Sequence, residues 1–160
     1  MITQEAIKEF GQKREYFEKK LLSFLLYDTV LFYPDNADFQ KDYGRKLEMV
    51  LASFNKLLVV EYVATKGLDV VEQNNSFQEK IANFLAQLNV IDLIKVYIIA
   101  TNLRSVILAI LILNGVVEVK DAVEVAFCEE FYSQKKWGRI EELDEKCKTI
   151  EGNIVNILKG

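Results

Sequence analysis

The sequence predicts a mainly α-helical protein, a compact bundle of about six helices around one central apolar helix. Three observations predict this class. Apolar residues recur at helical spacing along most of the chain. Hydrophobic residues make up 51% and charged residues 28%, an ordinary balance for a globular domain. One segment, Val90–Leu113, is apolar on nearly every side. We expect the 160 residues to form a single helical domain, 1–160.

The first predicted helix runs from about Gln4 to Leu26. Its apolar residues recur at helical spacing while its charged residues face water. The pattern breaks at Asp28-Thr29, which is typical of a chain reversal, and Pro34 prevents the helix from continuing. The residues alone therefore predict that Asp28 forms a hydrogen-bonded turn over apolar side chains.

The second predicted helix spans Ala37–Asn55 and turns six apolar residues inward: Phe39, Tyr43, Leu47, Val50, Leu51 and Phe54. Two short runs rich in β-branched residues follow, 57–63 and 67–71, around Lys66-Gly67. These runs favour two brief strands or extended segments, which one short β-hairpin would join.

A third helix is predicted from about Phe77 to Leu88, after a capping segment at 74–76. Asn89 then begins the long helix Val90–Leu113 as its N-cap. The longest uncharged run in that region, Ser105–Val117, is shorter than the roughly 20 residues of a membrane span. We therefore interpret Val90–Leu113 as the central core helix and expect no membrane insertion.

The segment Asp121–Gly138 predicts a further helix with two contact faces. Val123, Phe127 and Phe131 form an apolar stripe, and the small residues Ala122, Ala126 and Ser133 would allow a neighbour to approach closely. Glu130 lies between these two faces, and Gly138 is typical of a helix C-cap. A last helix is predicted at about Ile140–Leu158, with apolar residues near its end for docking.

Composition excludes several classes of function. The chain has no histidine and two cysteines, so a zinc site and histidine-dependent catalysis are not expected. It has no glycine-rich phosphate loop, and its net charge of −4 comes without a basic patch. We predict no metal, no cofactor, no nucleic acid and no enzymatic activity. Cys128 and Cys147 are expected to be reduced thiols, and the start of the sequence lacks the pattern of a signal or transit peptide.

The run EEFYSQKKWGRIEE carries a resemblance to a known family. An acidic pair, an aromatic residue, Gln and Lys residues, Trp-Gly and further acids occur in that order: Glu129, Glu130, Tyr132, Gln134, Lys136, Trp137, Gly138 and Glu141. In this run the chain resembles the F1-ATPase assembly chaperones that act on the alpha subunit. The similarity is strongest from Asn102 to Glu142, and Asp28-Thr29 with Phe32 also matches. Tyr33 stands where the family usually has arginine, and the family's Trp-Asp-Pro is absent near residues 44–46.

The resemblance implies a function and a set of contact residues. It implies a chaperone that binds the unassembled alpha subunit and prevents its aggregation until it meets beta. It covers the helical domain, whereas family members usually carry a further β-rich N-terminal domain. By resemblance, the client-binding residues are Glu130, Glu129, Trp137, Gln134 and Asp28. The compartment is then the cytoplasm of a bacterium, or the mitochondrial matrix in a eukaryote.

Two alternatives remain open from the sequence. The chain is also compatible with a helical interaction module that has an unrelated partner and no catalytic activity. A cryptic enzyme is a third class, which the absence of histidine disfavours. For Glu130, a client contact and an internal salt bridge to Arg104 are equally compatible with the spacing.

Overall fold

The computed structural model describes residues 2–26, 28, 30, 32–33, 36–58, 65–66, 75–138 and 140–159. In this part of the chain nearly all residues are helical, as predicted. The helices are α1 (Gln4–Gln12), α2 (Arg14–Ser23), α3 (Ala37–Phe39), α4 (Arg45–Leu58), α5 (Asn75–Gln87), α6 (Val90–Leu103), α7 (Val106–Leu113), α8 (Val119–Ala126), α9 (Cys128–Trp137) and α10 (Ile140–Lys159). A 3-10 turn, Phe24–Leu26, follows α2, and a π-helical turn, Gln40–Gly44, joins α3 to α4.

The helix α7 occupies the centre of the core. All its residues from Val106 to Ile112 are buried. It packs against α6, α4 and α8, while α10 packs against α6, α8 and α9. Because α7 is surrounded by other helices, it carries apolar residues on every side.

The predicted single helix Val90–Leu113 is in fact two helices, α6 and α7. Arg104 ends α6 in the left-handed conformation, with φ 54° and ψ 36°. The amides of Arg104 and Ser105 both donate to the carbonyl oxygen of Ala100, which closes the end of α6. Ser105 then begins α7 as its N-cap, and its Oγ accepts from the amide of Leu108 at 3.0 Å. The predicted N-cap of α6, Asn89, is confirmed.

Two other predicted helices are also divided, so the estimate of about six helices is too low for the described residues. The first breaks at Lys13 (φ −112°, ψ 30°) into α1 and α2. The segment Asp121–Gly138 breaks at Phe127 into α8 and α9. In each case one residue is both the C-cap of the first helix and the N-cap of the second. Periodicity cannot detect such a break, because apolar spacing resumes immediately.

The second predicted helix is present as a continuous helical stretch, Ala37–Leu58, interrupted by the π-helical turn. The prediction of its inward residues is confirmed: Phe39, Leu47, Val50, Leu51 and Phe54 are buried and Tyr43 is half-buried. The predicted hairpin segments lie mostly outside the described residues. The described strand β2 (Thr65–Lys66) pairs in parallel with β1 (Phe32–Tyr33), with Phe32 opposite Thr65.

Arg14 joins the N-terminal helices to α5. Its Nη2 donates to the carbonyl oxygens of Leu85 at 2.8 Å and Leu88 at 2.5 Å, at the end of α5. A cation at a helix C-terminus satisfies carbonyl groups that have no partner within the helix.

Among the described helices, none combines the length and the apolarity that a membrane span requires.

Candidate functional site

The junction of α8 and α9 positions the residues that carry the family resemblance. Phe127 lies at this junction with φ −107° and ψ 19° and is 2% exposed. Its amide donates to the carbonyl of Val123 at 3.1 Å, and its carbonyl accepts from the amide of Phe131 at 2.9 Å. The chain therefore stays hydrogen-bonded through the break. Because α9 starts again from a buried ring, its orientation is tied to the core.

The break corrects one sequence prediction. Ala122 and Ala126 are buried and form a small-residue face on α8, as predicted. Ser133, expected on the same face, is exposed. The small-residue face of α8 therefore does not extend to Ser133 on α9.

Glu130 and Arg104 form an ion pair at the surface. The Oε1 atom of Glu130 accepts from Nη2 of Arg104 at 2.6 Å. The side chain of Arg104 is 52% exposed and that of Glu130 is 36% exposed. The internal salt bridge considered as an alternative is therefore present. Since both groups reach solvent, the pair contributes only about 0–1 kcal/mol to stability, and the carboxylate stays accessible to a partner.

An aromatic ring supports the cation of this pair. The Cζ atom of Arg104 lies 5.7 Å from the ring centroid of Phe127, and Nζ of Lys146 lies 5.2 Å from the same centroid. A cation over an aromatic face is held by the ring quadrupole. Phe127 thus places two cations beside α9, and one of them orients Glu130. Sequence spacing did not indicate that Lys146 contacts this ring, because Lys146 lies on a different helix, α10.

The neighbours of Glu130 on α9 differ in their surroundings. Glu129 is exposed as a whole residue, but its carboxyl group is partly shielded from water. This desolvation is the main reason that the pKa of Glu129 is raised; the carboxylate of Glu130 adds to the rise and Arg104 opposes it. Cys128 is buried, and burial raises the pKa of its thiol to about 12. Burial also raises the pKa of the Cys147 thiol. Both cysteines are free and remain neutral thiols, which are poor nucleophiles.

Gln134 and Trp137 complete the predicted set on α9. Gln134 is half-buried and follows Glu130 by one turn, so both lie on one side of the helix. Trp137 is the last residue of α9, and its side chain lies outside the described part of the structure. Gly138 caps the helix with φ 73°, and its amide donates to the carbonyl of Gln134. The predicted C-cap is therefore confirmed.

Asp28 lies in the core, away from the surface of α9. It is fully buried and accepts from the Ser105 hydroxyl at 2.7 Å and from the amides of Val30 at 3.0 Å and Ile107 at 3.2 Å. Burial raises the pKa of Asp28 to about 6, although these hydrogen bonds oppose the rise. Together Asp28 and Ser105 satisfy the amides at the buried start of α7. This geometry supports the interpretation of Asp28 as a hydrogen-bonded turn residue.

The structure thus brings Glu129, Glu130, Gln134 and Trp137 together on one short helix and leaves Asp28 out. Sequence analysis missed a second anchor of α9, a hydrogen bond between Tyr132 Oη and Oδ1 of Asn36 at 3.3 Å. In the described residues no group of acids and cysteines is arranged to hold a metal ion. The exposed part of α9 offers an oriented carboxylate beside cations, which suits recognition of a partner surface.

Comparison with solved structures identifies the fold. The chain superposes on Atp12 from Paracoccus denitrificans with a TM-score of 0.86 at 16% sequence identity, and a mutant of that protein gives the same values. A candidate chaperone from Agrobacterium tumefaciens, Atu1473, matches with a TM-score of 0.83 at 19% identity. In each case 96% of this chain is covered, so the fold of these residues is the Atp12 fold.

The comparisons differ in how much of the other protein they include. The chain spans 66% of the length of the Paracoccus Atp12 chain and 59% of the Agrobacterium chain. No protein-family model matches the sequence, and no curated protein sequence is significantly similar to it. The similarity of this chain to the Paracoccus and Agrobacterium proteins is therefore detected by comparing three-dimensional structures.

Proposed function

We propose that this chain acts as an assembly chaperone of F1-ATPase, binding the unassembled alpha subunit and preventing its aggregation until it meets beta. The observation that carries the proposal is the Atp12 fold, found over 96% of the chain. Atp12 is an F1 assembly chaperone. The sequence resemblance to the same class of chaperone, strongest from Asn102 to Glu142, supports the proposal separately.

The surface of α9 is the proposed contact with the client. Glu130 is oriented by Arg104 and remains partly exposed, with Glu129 and Gln134 on the same short helix. An unassembled subunit exposes apolar area and unpaired backbone groups that would otherwise aggregate. The Glu130 carboxylate can accept hydrogen bonds from such backbone amides or pair with a basic residue. Trp137 belongs to the proposed contact by resemblance.

Binding by this surface needs no chemical step. The client's groups exchange with Arg104 as partners of Glu130, and because the ion pair is partly exposed, breaking it costs only about 0–1 kcal/mol. Release follows when beta covers the same surface of the alpha subunit. We accordingly propose no catalytic residue, no metal and no nucleotide in the cycle.

Aggregation of the client tests the function. Dilute alpha subunit is followed by light scattering with and without an equimolar amount of this protein. We expect scattering to fall in its presence. Unchanged scattering, together with no co-purification of the two proteins, would contradict the proposal and favour a helical interaction module with an unrelated partner.

Substitution of Glu130 tests the site. Glu130→Gln removes the charge and Glu130→Lys reverses it beside Arg104. We expect alpha-subunit binding to weaken by about 1–3 kcal/mol, more for the lysine variant. The melting temperature should change little, because the pair is half-exposed. Glu15→Lys, an exposed charge reversal on α2, is the control. A large loss of stability in Glu130→Gln would assign the residue to the fold.

A further inference from the structure

A groove between α4 and the start of α8 is lined by apolar side chains that remain exposed. Its volume is about 490 Å³. Met49 and Val116 line it and are 61% and 46% exposed. Val50, Val117 and Val125 line it as well. None of the residues proposed for client binding on α9 belongs to its lining.

The exposure of Met49 and Val116 is notable because they share one groove. Single exposed apolar residues are normal on a protein surface. Of the large apolar side chains that are exposed in the described residues, Tyr16 and Ile91 do not line this groove, whereas Met49 and Val116 both do. Together with Val50, Val117 and Val125, they offer a surface on which one apolar side chain of a partner can pack. Methionine is also well suited to adapt to a partner's shape.

The charges around the groove are mostly negative. Lys46 hydrogen-bonds to Glu124, and this bond is the main reason that the pKa of Lys46 is raised. Glu118 and Asp121 form no ion pair within 4.0 Å with any described residue, although the charge of Asp121 also helps to raise the pKa of Lys46. Glu118 occupies the N-cap position of α8, yet its side chain makes no capping hydrogen bond. Two carboxylates therefore remain available beside the apolar lining.

We propose that this groove binds a partner protein segment that presents an apolar side chain between basic residues. The apolar side chain enters between Met49 and Val116, and the basic residues pair with Glu118 and Asp121. Charge complementarity selects this occupant, because Lys46 is already neutralised by Glu124 and the remaining rim is acidic. The inference does not depend on the client proposed for α9.

The helix dipole offers another explanation for the two acids. Negative side chains in the first turn stabilise a helix even when they bind nothing. Under that explanation, replacing Glu118 and Asp121 lowers the melting temperature, and a basic peptide has no preferred site. Under the proposal, the same replacement changes which peptide binds.

The probes are two short fluorescein-labelled amphipathic peptides of equal length. One carries leucines flanked by lysine and arginine, and in the other every basic residue is glutamate. Fluorescence anisotropy measures the binding of each peptide to the intact protein at low and at high salt. We expect saturable binding of the basic peptide alone, weakened by salt because the pairing groups are exposed.

Variants of the groove decide the outcome. The double variant Glu118→Lys and Asp121→Lys should weaken binding of the basic peptide by about tenfold or more and permit binding of the acidic one. If that variant does not fold, Met49→Gln with Val116→Ser should weaken the basic peptide. Tyr16→Ser is the matched control, because it removes an equally exposed apolar side chain on α2. Absence of saturable binding, equal binding of both peptides, or binding unaffected by the groove variants would overturn the proposal.

Discussion

Asp28→Asn separates two opposing effects on a buried carboxyl group. Burial raises the pKa of Asp28 from 3.8 to about 6, while the hydroxyl of Ser105 and the amides of Val30 and Ile107 oppose the rise. Because the folded protein binds the Asp28 proton more tightly than the unfolded chain, this carboxyl favours folding most at low pH. Its contribution is complete below about pH 3.8 and is lost as the pH rises through about 6.

The size of the effect follows from the two pKa values. Each pH unit between them corresponds to about 1.4 kcal/mol, so the contribution changes by about 3 kcal/mol in total. Asparagine has nearly the same shape and does not titrate. The free energy of unfolding of the wild type, minus that of Asp28→Asn, should therefore increase by about 2 kcal/mol as the pH falls from about 6 to about 4, which is most of the total.

Urea unfolding followed by circular dichroism at several pH values in this range measures the difference. Asp144→Asn, at an exposed position of α10, controls for the loss of a formal charge. A difference that stays constant or shrinks as the pH falls would refute the reasoning. It would mean that the three hydrogen bonds, rather than burial, set the pKa of Asp28. If Asp28→Asn does not fold, carbon-13 NMR of the Asp28 carboxyl group in the wild type reports the same pKa.

Other predictions concern particular residues. Arg104→Gly should be more stable than Arg104→Ala by about 1 kcal/mol in urea unfolding, because only glycine adopts φ 54° without strain. An equal or greater stability of the alanine variant would show that the backbone at this position is not strained. Arg14→Met should lower the free energy of unfolding by about 1–3 kcal/mol, since the carbonyls of Leu85 and Leu88 lose a charged donor. An unchanged free energy of unfolding would mean that water replaces the guanidinium group as donor. Cys128 and Cys147 should react slowly with a thiol reagent in the native protein and rapidly in urea, because burial raises the pKa of both thiols. Rapid reaction of the native protein with the reagent would contradict the burial of these thiols.

Local features of the fold could be predicted because their physical causes lie close together in the chain. Asn89 was recognisable as a cap because its side chain reaches an amide three residues later. Gly138 was recognisable because the αL conformation favours glycine. The inward face of α4 followed from a 3.6-residue period that depends only on helix geometry.

The breaks within the predicted helices depended on contacts between distant residues. The start of α7 is buried, and it is stable there because Asp28, far away in sequence, supplies acceptors for its amides. Without that contact, a long continuous helix is the simplest interpretation of the apolar run. Arg104 has no local tendency towards αL, so its conformation could not be expected from its residue type.

The sequence by itself determined the helical class, the apolar core positions, the lack of histidine chemistry and the identity of the acids on α9. The tertiary structure decided which groups surround those acids. Spacing was compatible with either a client or Arg104 as the partner of Glu130, and the ion pair with Arg104 depended on where the end of α6 lies relative to α9. The structure places them 2.6 Å apart with both side chains partly exposed. Whether a charge is buried, paired or accessible is set by atoms from several helices, and the order of residues along one helix does not contain that information.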